Sequence, residues 1–388
     1  MKRWLPKILC CSFLLLLVLL PASGYQQTPP YYPGKWDDWA RRTPEQAGFN
    51  TNLLNEAITF ARANYSPQKR DKNGAPDFQL YDEPYGDVIG PTRERGESNG
   101  LIVRHGYIVA EWGDTRRVDM TFSVTKTYLS TTAGLAFDRG LIHDVQDRVG
   151  DYVQDAGFES EHNKGITWHQ LLNQTSGWEG TLWGKPDWAD RFNGTRRTSE
   201  EPGKSWRYND VRVNQLAFSL LHVWRKPLPQ VLKDLVMDPI DASPTWRWHG
   251  YDNSWVTLDG VKMQSVSGGG HWGGGMFIST RDHARFGYLF LRGGKWRERQ
   301  IISKKWIELA STPTPVQPTY GYMNWYLNTA RKQFPSAPES SIFFLGNGTN
   351  MIWIDRDHDM VVVVRWQSEV DGVIKRVLAA LDLRAQAR

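Results

Sequence analysis

The architecture of this chain turns on one short run, Met120-Thr121-Phe122-Ser123-Val124-Thr125-Lys126. A serine and a lysine stand three residues apart at the head of an apolar pattern that continues through Leu129, Ala133, Ala136 and Phe137 and stops at Gly140. This is the pattern of a helix with a glycine terminator. Residues three apart share a helix face one turn apart, so Lys126 reaches the Ser123 hydroxyl. A lysine in an apolar pocket near the positive end of a helix has its charged form disfavoured and can serve as the neutral base a serine nucleophile needs. The helix start also turns the Ser123 backbone N–H outward, where it can stabilise an oxyanion. On these residues alone, a helix-capping serine beside a surface lysine accounts for the pattern equally well.

Two other serine motifs compete and lack the local structure they need. Ser66-Pro67-Gln68-Lys69 repeats the S-x-x-K spacing, but Arg70-Asp71-Lys72-Asn73-Gly74 follows it, and the stretch reads as a solvated loop. Gly96-Glu97-Ser98-Asn99-Gly100 matches the nucleophile elbow, which requires a buried strand before it and a helix after it. Arg93-Glu94-Arg95 precedes it and a hairpin follows, so neither condition is met.

Working outward, Leu101 to Trp112 reads as two β-rich runs around Arg104-His105-Gly106, a hairpin. Thr43-Pro44-Glu45 opens a helix through Leu53, Leu54, Ile58 and Ala61, and Ser66 to Arg95 reads as a long loop. Helical signals dominate from Met120 to Trp224, including Val211 to Trp224 ahead of Pro227. After Trp255 strands return at Phe343-Phe344, Met351 to Ile354 and Met360 to Trp366, and a last helix covers Val373 to Leu383. The order predicts an α/β (α+β) fold: an antiparallel sheet flanked by helices, about 43–116 and 255–388, and an all-helical lobe, about 117–254. A cleft between two lobes is the expected place for a small-molecule site.

The 388 residues are 40% apolar and 23% charged, enough to bury a core and to exclude a disordered chain. Met1 to Gly24 reads as a cleaved secretory signal: Lys2, Arg3 and Lys7 are basic, Leu14 to Leu20 apolar, and Ala22-Ser23-Gly24 small. The apolar run from Ile8 to Leu20 falls short of the ~18 residues a membrane span needs, so no stable anchor is expected after cleavage. The expected address is periplasmic or secreted. Cleavage takes the formal charge from +5 to +2 and removes Cys10 and Cys11, which leaves neither a basic nucleic-acid-binding face nor a thiol. Residues 25–42 read as an extended lead-in.

The segments around Ser123 resemble those of the serine β-lactamase and penicillin-binding protein superfamily, in particular its class C β-lactamase and esterase branch. The resemblance is carried by the hairpin, Phe122 to Lys126, Leu171-Leu172-Asn173-Gln174-Thr175-Ser176-Gly177, and Pro202-Gly203-Lys204-Ser205-Trp206-Arg207-Tyr208. It continues through Gly273-Gly274-Gly275-Met276, Ser279-Thr280-Arg281-Asp282 and the strand Met360 to Val364. It implies a β-lactamase/transpeptidase-like fold, Ser123 as the acylated nucleophile, Lys126 as its base and Tyr208 as a proton relay, with no metal or organic cofactor. Tyr251 and Tyr322 also begin Y-x-N sequences; the Pro-Gly lead-in and the following apolar helix favour Tyr208.

Departures from that pattern shape the substrate expectation. Asp210 stands where the Y-x-N element has asparagine, so an acid replaces the amide that would contact a substrate carbonyl; Asn209 and Asp210 are expected to cap the helix from Val211, with substrate contact by Asp210 as the alternative. The Lys-Thr-Gly or His-Thr-Gly element aligns with Phe344-Leu345-Gly346, keeping only the glycine. The Asn347 N–H can still complete an oxyanion hole. The cation and hydroxyl that hold a substrate carboxylate are missing, so an ester or amide is the expected small-molecule substrate, ahead of a β-lactam or a D-alanyl peptide. An amidase like the nylon-oligomer hydrolases and a non-catalytic sensor with the same fold are the alternatives. Asp357-His358-Asp359 reads as a turn and no histidine shows a metal-ligand spacing. His271, among glycines, and Trp178 and Trp272 are candidates to line the cleft.

Overall fold

The computed structural model describes Met1 and residues 30–78, 83–190 and 199–382. The chain divides into two compact units, Met1–Pro30 and Tyr31–Arg388, and all the elements below belong to the second. Beyond Met1, the segment read as a secretory signal lies outside the described residues, as do residues 25–29 of the lead-in.

Helix α1 (Thr51–Ala63) is followed by strands β1 (Asn99–Arg104), β2 (Tyr107–Trp112) and β3 (Asp119–Met120), then by helices α2 (Thr125–Asp138) and α3 (Trp168–Leu172). A short ladder, β4 (Thr181–Leu182) with β5 (Lys185–Pro186), leads to α4 (Asp210–Trp224) and α5 (Leu228–Leu232). Next come β6 (Arg247–Leu258), β7 (Val261–Val266), β8 (Gly275–Ile278), α6 (Thr280–Leu291), the ladder β9 (Lys295–Trp296) with β10 (Arg299–Gln300), and α7 (Lys304–Ala310). The chain closes with β11 (Tyr326–Leu327), β12 (Ile342–Gly346), β13 (Asn350–Asp355), β14 (Met360–Arg365) and α8 (Val370–Ala379).

The main sheet is antiparallel in the order β11-β12-β13-β14-β1-β2, so the early hairpin pairs with the late strands. His105 and Gly106 turn the hairpin with φ of 52° and 88°, the two positive values that a tight two-residue connection needs. Alternation with period two divides the strands between two cores. Ile102, Val362 and Val364 pack with Leu54, Ala57, Val373 and Ile374 of α1 and α8, whereas Leu101, Val103, Val361 and Val363 face Ala284 and Phe286 of α6.

Three boundaries differ from the sequence reading. Thr43-Pro44-Glu45 leads only into a single 3-10 turn, Glu45–Ala47, that ends at the left-handed Gly48; α1 begins later, capped by Asn50, and buries Leu54, Ala57 and Ala61 while Leu53 is exposed. The lobe read as all-helical up to residue 254 instead passes into the hairpin β6–β7, whose turn is Asp259-Gly260. Helix α8 starts at Val370, three residues ahead of the expected Val373.

Candidate active site

Ser123 sits in a single 3-10 turn, Phe122–Val124, that runs directly into α2. Phe122 adopts φ 48°, a left-handed conformation costly for a bulky side chain, and the edge of its ring contacts Trp366. Strand β12 passes alongside this turn. A Cβ on Gly346 would meet Thr121 O at 2.3 Å and Val124 N at 3.2 Å, so only glycine permits the approach that puts Asn347 next to the serine turn.

Lys126 is completely buried, and its Nζ donates to Ser123 Oγ at 2.9 Å and to Asp210 Oδ1 at 2.8 Å. Burial pushes the Lys126 ammonium down from its ordinary range, while Asp210 and Asp190 pull it back up. The Tyr208 ring covers the amine, 4.5 Å from Nζ to the ring centre, and the Tyr208 phenol lies near Ser123. Burial raises the Tyr208 phenol well above its normal value, so it stays protonated.

The segment ahead of α4 is held in place by Gln174. Its carbonyl accepts from Arg207 N at 2.9 Å and its Oε1 from Asn209 N at 2.6 Å, fixing the backbone on both sides of Tyr208. Gln174 belongs to the Leu171–Gly177 run that carried part of the resemblance. Tyr251 and Tyr322, the other Y-x-N tyrosines, direct their hydroxyls to Asn214 and Ser267 and to His169.

Only half of the capping expectation for α4 is met. Asn209 is the cap, its side chain accepting from Arg212 N at 2.9 Å, whereas Asp210 is the first helical residue and turns its carboxylate inward to Lys126. Asp190 joins the cluster by accepting from Asn209 Nδ2 at 2.9 Å and from Asp210 N. Burial and the neighbouring Asp210 and Glu83 carboxylates push the Asp190 carboxyl up to about 7, with His271 acting in the opposite direction.

His271 does lie at this cluster. Its Nε2 is 3.0 Å from Glu83 Oε2, its Nδ1 is 3.8 Å from Asp210 Oδ2, and its side chain is only 10% exposed. Trp178 and Trp272 are corrections: both are buried in the core, Trp178 donating from Nε1 to Gly157 O, so neither lines an open cleft. Packing of these large rings into the core outweighed the cleft-lining role expected of them. Glu83 and Asp190 escaped the sequence reading because each lies in an irregular segment far along the chain from Ser123 and carries no motif.

On β12, Phe344 is fully buried against Phe286, Phe290 and Trp325, and Leu345 follows it, so the strand presents neither a cation nor a hydroxyl at these two positions. A cavity of about 270 Å³ opens beside Phe122 and Asn347, with Lys69, Arg93 and Arg95 in its wall. Ser66 and Lys69, read from sequence as solvated loop, line that cavity rather than approaching the buried lysine.

The β-lactamase family model matches residues 101–387. An uncharacterised protein of Alkalihalophilus pseudofirmus is 24% identical over 272 residues, 63% of this chain and 72% of that one. Among solved structures, one provisionally assigned as a β-lactamase of Bacteroides dorei superimposes with a TM-score of 0.59 at 14% identity, covering 86% of this chain and 99% of the other. A family VIII carboxylesterase gives 0.54 at 16% identity, with 73% and 92% covered. The antiparallel sheet, the turn and helix that bear Ser123 and Lys126, and a family match over most of its length together make this chain a member of the β-lactamase family.

Proposed function

We propose that this protein is an exported serine hydrolase that cleaves an ester or amide through an acyl-enzyme on Ser123. The observation that carries the reading is the completely buried Lys126 amine 2.9 Å from Ser123 Oγ, with the Tyr208 ring lying over that amine. In the acylation step Ser123 Oγ bonds to the substrate carbonyl carbon while its proton passes to Lys126 Nζ. The backbone N–H groups of Ser123 and Asn347 receive the oxyanion, and Tyr208 hands a proton to the leaving group while taking up the proton held on Lys126, which restores both groups. Water then repeats the sequence to release the acid. The buried Phe344 and the aliphatic Leu345 on β12 support an ester or amide over a substrate that must be gripped by its carboxylate, and a carboxylesterase of similar fold fits that choice. Export by the segment Met1 to Gly24 belongs to the same reading and rests on its sequence pattern alone.

Intact-mass analysis of the protein after treatment with a fluorophosphonate probe, beside Ser123→Ala, tests the nucleophile. One adduct on Ser123, absent from the variant, is the expected result; a folded protein that takes up no probe refutes it.

A second reading, a sensor that keeps its acyl group, draws on one specific contact. The Asp210 carboxylate 2.8 Å from Lys126 favours the charged amine, and an amine that keeps the proton it gains in acylation cannot activate the deacylating water. An ester-derived acyl adduct that persists for hours would favour this reading over turnover.

A further inference from the structure

The base lysine does not face its carboxylate alone. Asp210 offers Oδ1 to Lys126 and turns Oδ2 toward His271 Nδ1, while both oxygens of Glu83 lie within 3.2 Å of His271 Nε2. All four side chains are at most 10% exposed. The order in space is Glu83, His271, Asp210, Lys126, Ser123. Glu83 lies ahead of residue 101, where the match to the family begins.

We propose that His271, held by Glu83, is a positioning residue that shares the Asp210 carboxylate with Lys126 and thereby sets how readily Lys126 takes the Ser123 proton. The inference rests on the reading of Lys126 as the base. A buried lysine paired with one aspartate is held charged and has no lone pair for a serine proton. A second cation at the same carboxylate weakens that hold in two ways: it draws on the Asp210 charge and it repels the Lys126 ammonium directly. Glu83 makes His271 that cation, because a carboxylate on Nε2 favours the protonated ring. The raised position of His271 agrees with this arrangement, with burial opposing and Glu83, Asp210 and Asp190 supporting the charge.

Other charged and titratable groups face the cluster. Lys126 also meets Ser123 on its own turn, Tyr208 from the segment before α4, and Asp190. His271 also meets Asp190, and Lys185 stands toward Glu83. Tyr251, Tyr320 and Tyr326 lie near enough to feel the Asp210 charge and are raised chiefly by burial, so they remain neutral across the working range. His271 and Lys126 therefore titrate as a coupled pair, and loss of the proton from one strengthens the other's hold on its own.

The test measures the pH dependence of kcat/KM with p-nitrophenyl butyrate, and in parallel the titration of the Lys126 ¹³Cε resonance, assigned by its loss in Lys126→Arg. In His271→Gln the acid limb and the Lys126 midpoint should both move to higher pH by about one unit, a roughly tenfold loss of rate below the limb that is recovered in alkali. Glu83→Gln should move both the same way by less, and Asp210→Asn should move them to lower pH. Thermal melting establishes which variants are folded, and Glu83→Gln carries the test where His271→Gln does not fold. A Lys126 midpoint that stays in place in a folded His271→Gln or Glu83→Gln overturns the proposal, as does a loss of rate that is uniform across pH. A protein that never reacts with the fluorophosphonate probe refutes the hydrolase reading instead, and the Lys126 resonance still decides whether His271 tunes it.

Discussion

A methyl group on Gly269 would sit 1.7 Å from Asp210 Oδ1 and 2.3 Å from Lys126 Nζ. The backbone at this point is therefore pressed directly against the ion pair, and the absence of a side chain is what allows the two charges to meet. Gly269→Ala should force the pair apart. Misplacement of a reacting group by about 1 Å costs on the order of 10²-fold, so kcat for ester hydrolysis should fall by about that factor. Kinetics on a variant whose circular dichroism is unchanged would check this.

Tyr208→Phe removes a phenol that burial keeps protonated near Ser123, while leaving the ring over Lys126. Loss of a positioned acid–base group costs roughly 10²- to 10⁴-fold. The expected result is a drop in kcat of that order, KM within a few-fold, and a melting temperature close to that of the parent protein.

His283 links Thr121, just ahead of the Ser123 turn, to Tyr128 on α2, with Nε2 2.7 Å from Thr121 Oγ1 and Nδ1 2.9 Å from the Tyr128 hydroxyl. Burial, aided by Arg365, depresses the imidazole well below its ordinary value, so the folded protein holds it neutral. The unfolded chain takes up a proton below about pH 6.5 and the folded one does not. Stability from this group is therefore complete above that pH and is lost as the pH falls, by about 1.4 kcal/mol per pH unit. Because other groups titrate in both proteins, the difference in urea-unfolding stability between the parent protein and His283→Gln should change with that one-proton slope between about pH 6.5 and pH 5.

Without a cation or hydroxyl at Phe344 and Leu345, a cephalosporin carboxylate finds no partner on that part of β12. Removing a charge-assisted hydrogen bond costs about 1.5–3 kcal/mol, or roughly 10- to 100-fold. Nitrocefin should accordingly be hydrolysed with a kcat/KM at least about tenfold below that of p-nitrophenyl butyrate. Equal rates would show that the carboxylate is bound elsewhere.

Elements whose residues lie close together in sequence could be read directly. The alternation around His105-Gly106, the apolar run from Val124 to Phe137 and the valine-rich β14 each carry their period within a few residues. The β6–β7 hairpin was also marked, by Asp259-Gly260 between Val256-Thr257 and Val261, but its polar flanks hid the alternation. The spacing of Ser123 and Lys126 is local to one turn and the helix it runs into, so their contact was legible too. Asp210 was not, because a short acid at a helix start usually faces its own backbone, and only the buried amine 84 positions away draws it inward. Glu83, Asp190 and His271 meet through tertiary packing of irregular segments, for which sequence has no period to offer.

The sheet's partners and the site both draw on chain that precedes residue 101. Trp39 donates to Gly106 O across the hairpin turn, α1 covers one face of the sheet, and Glu83 reaches His271. A fragment trimmed to the recognisable stretch would retain Ser123, Lys126 and Tyr208 yet expose Ile102, Val362 and Val364 and leave His271 without its acid. The portable unit of this protein is thus larger than its family signature. Any transplant, fusion or minimal version has to carry the preceding seventy residues or so as part of the machine.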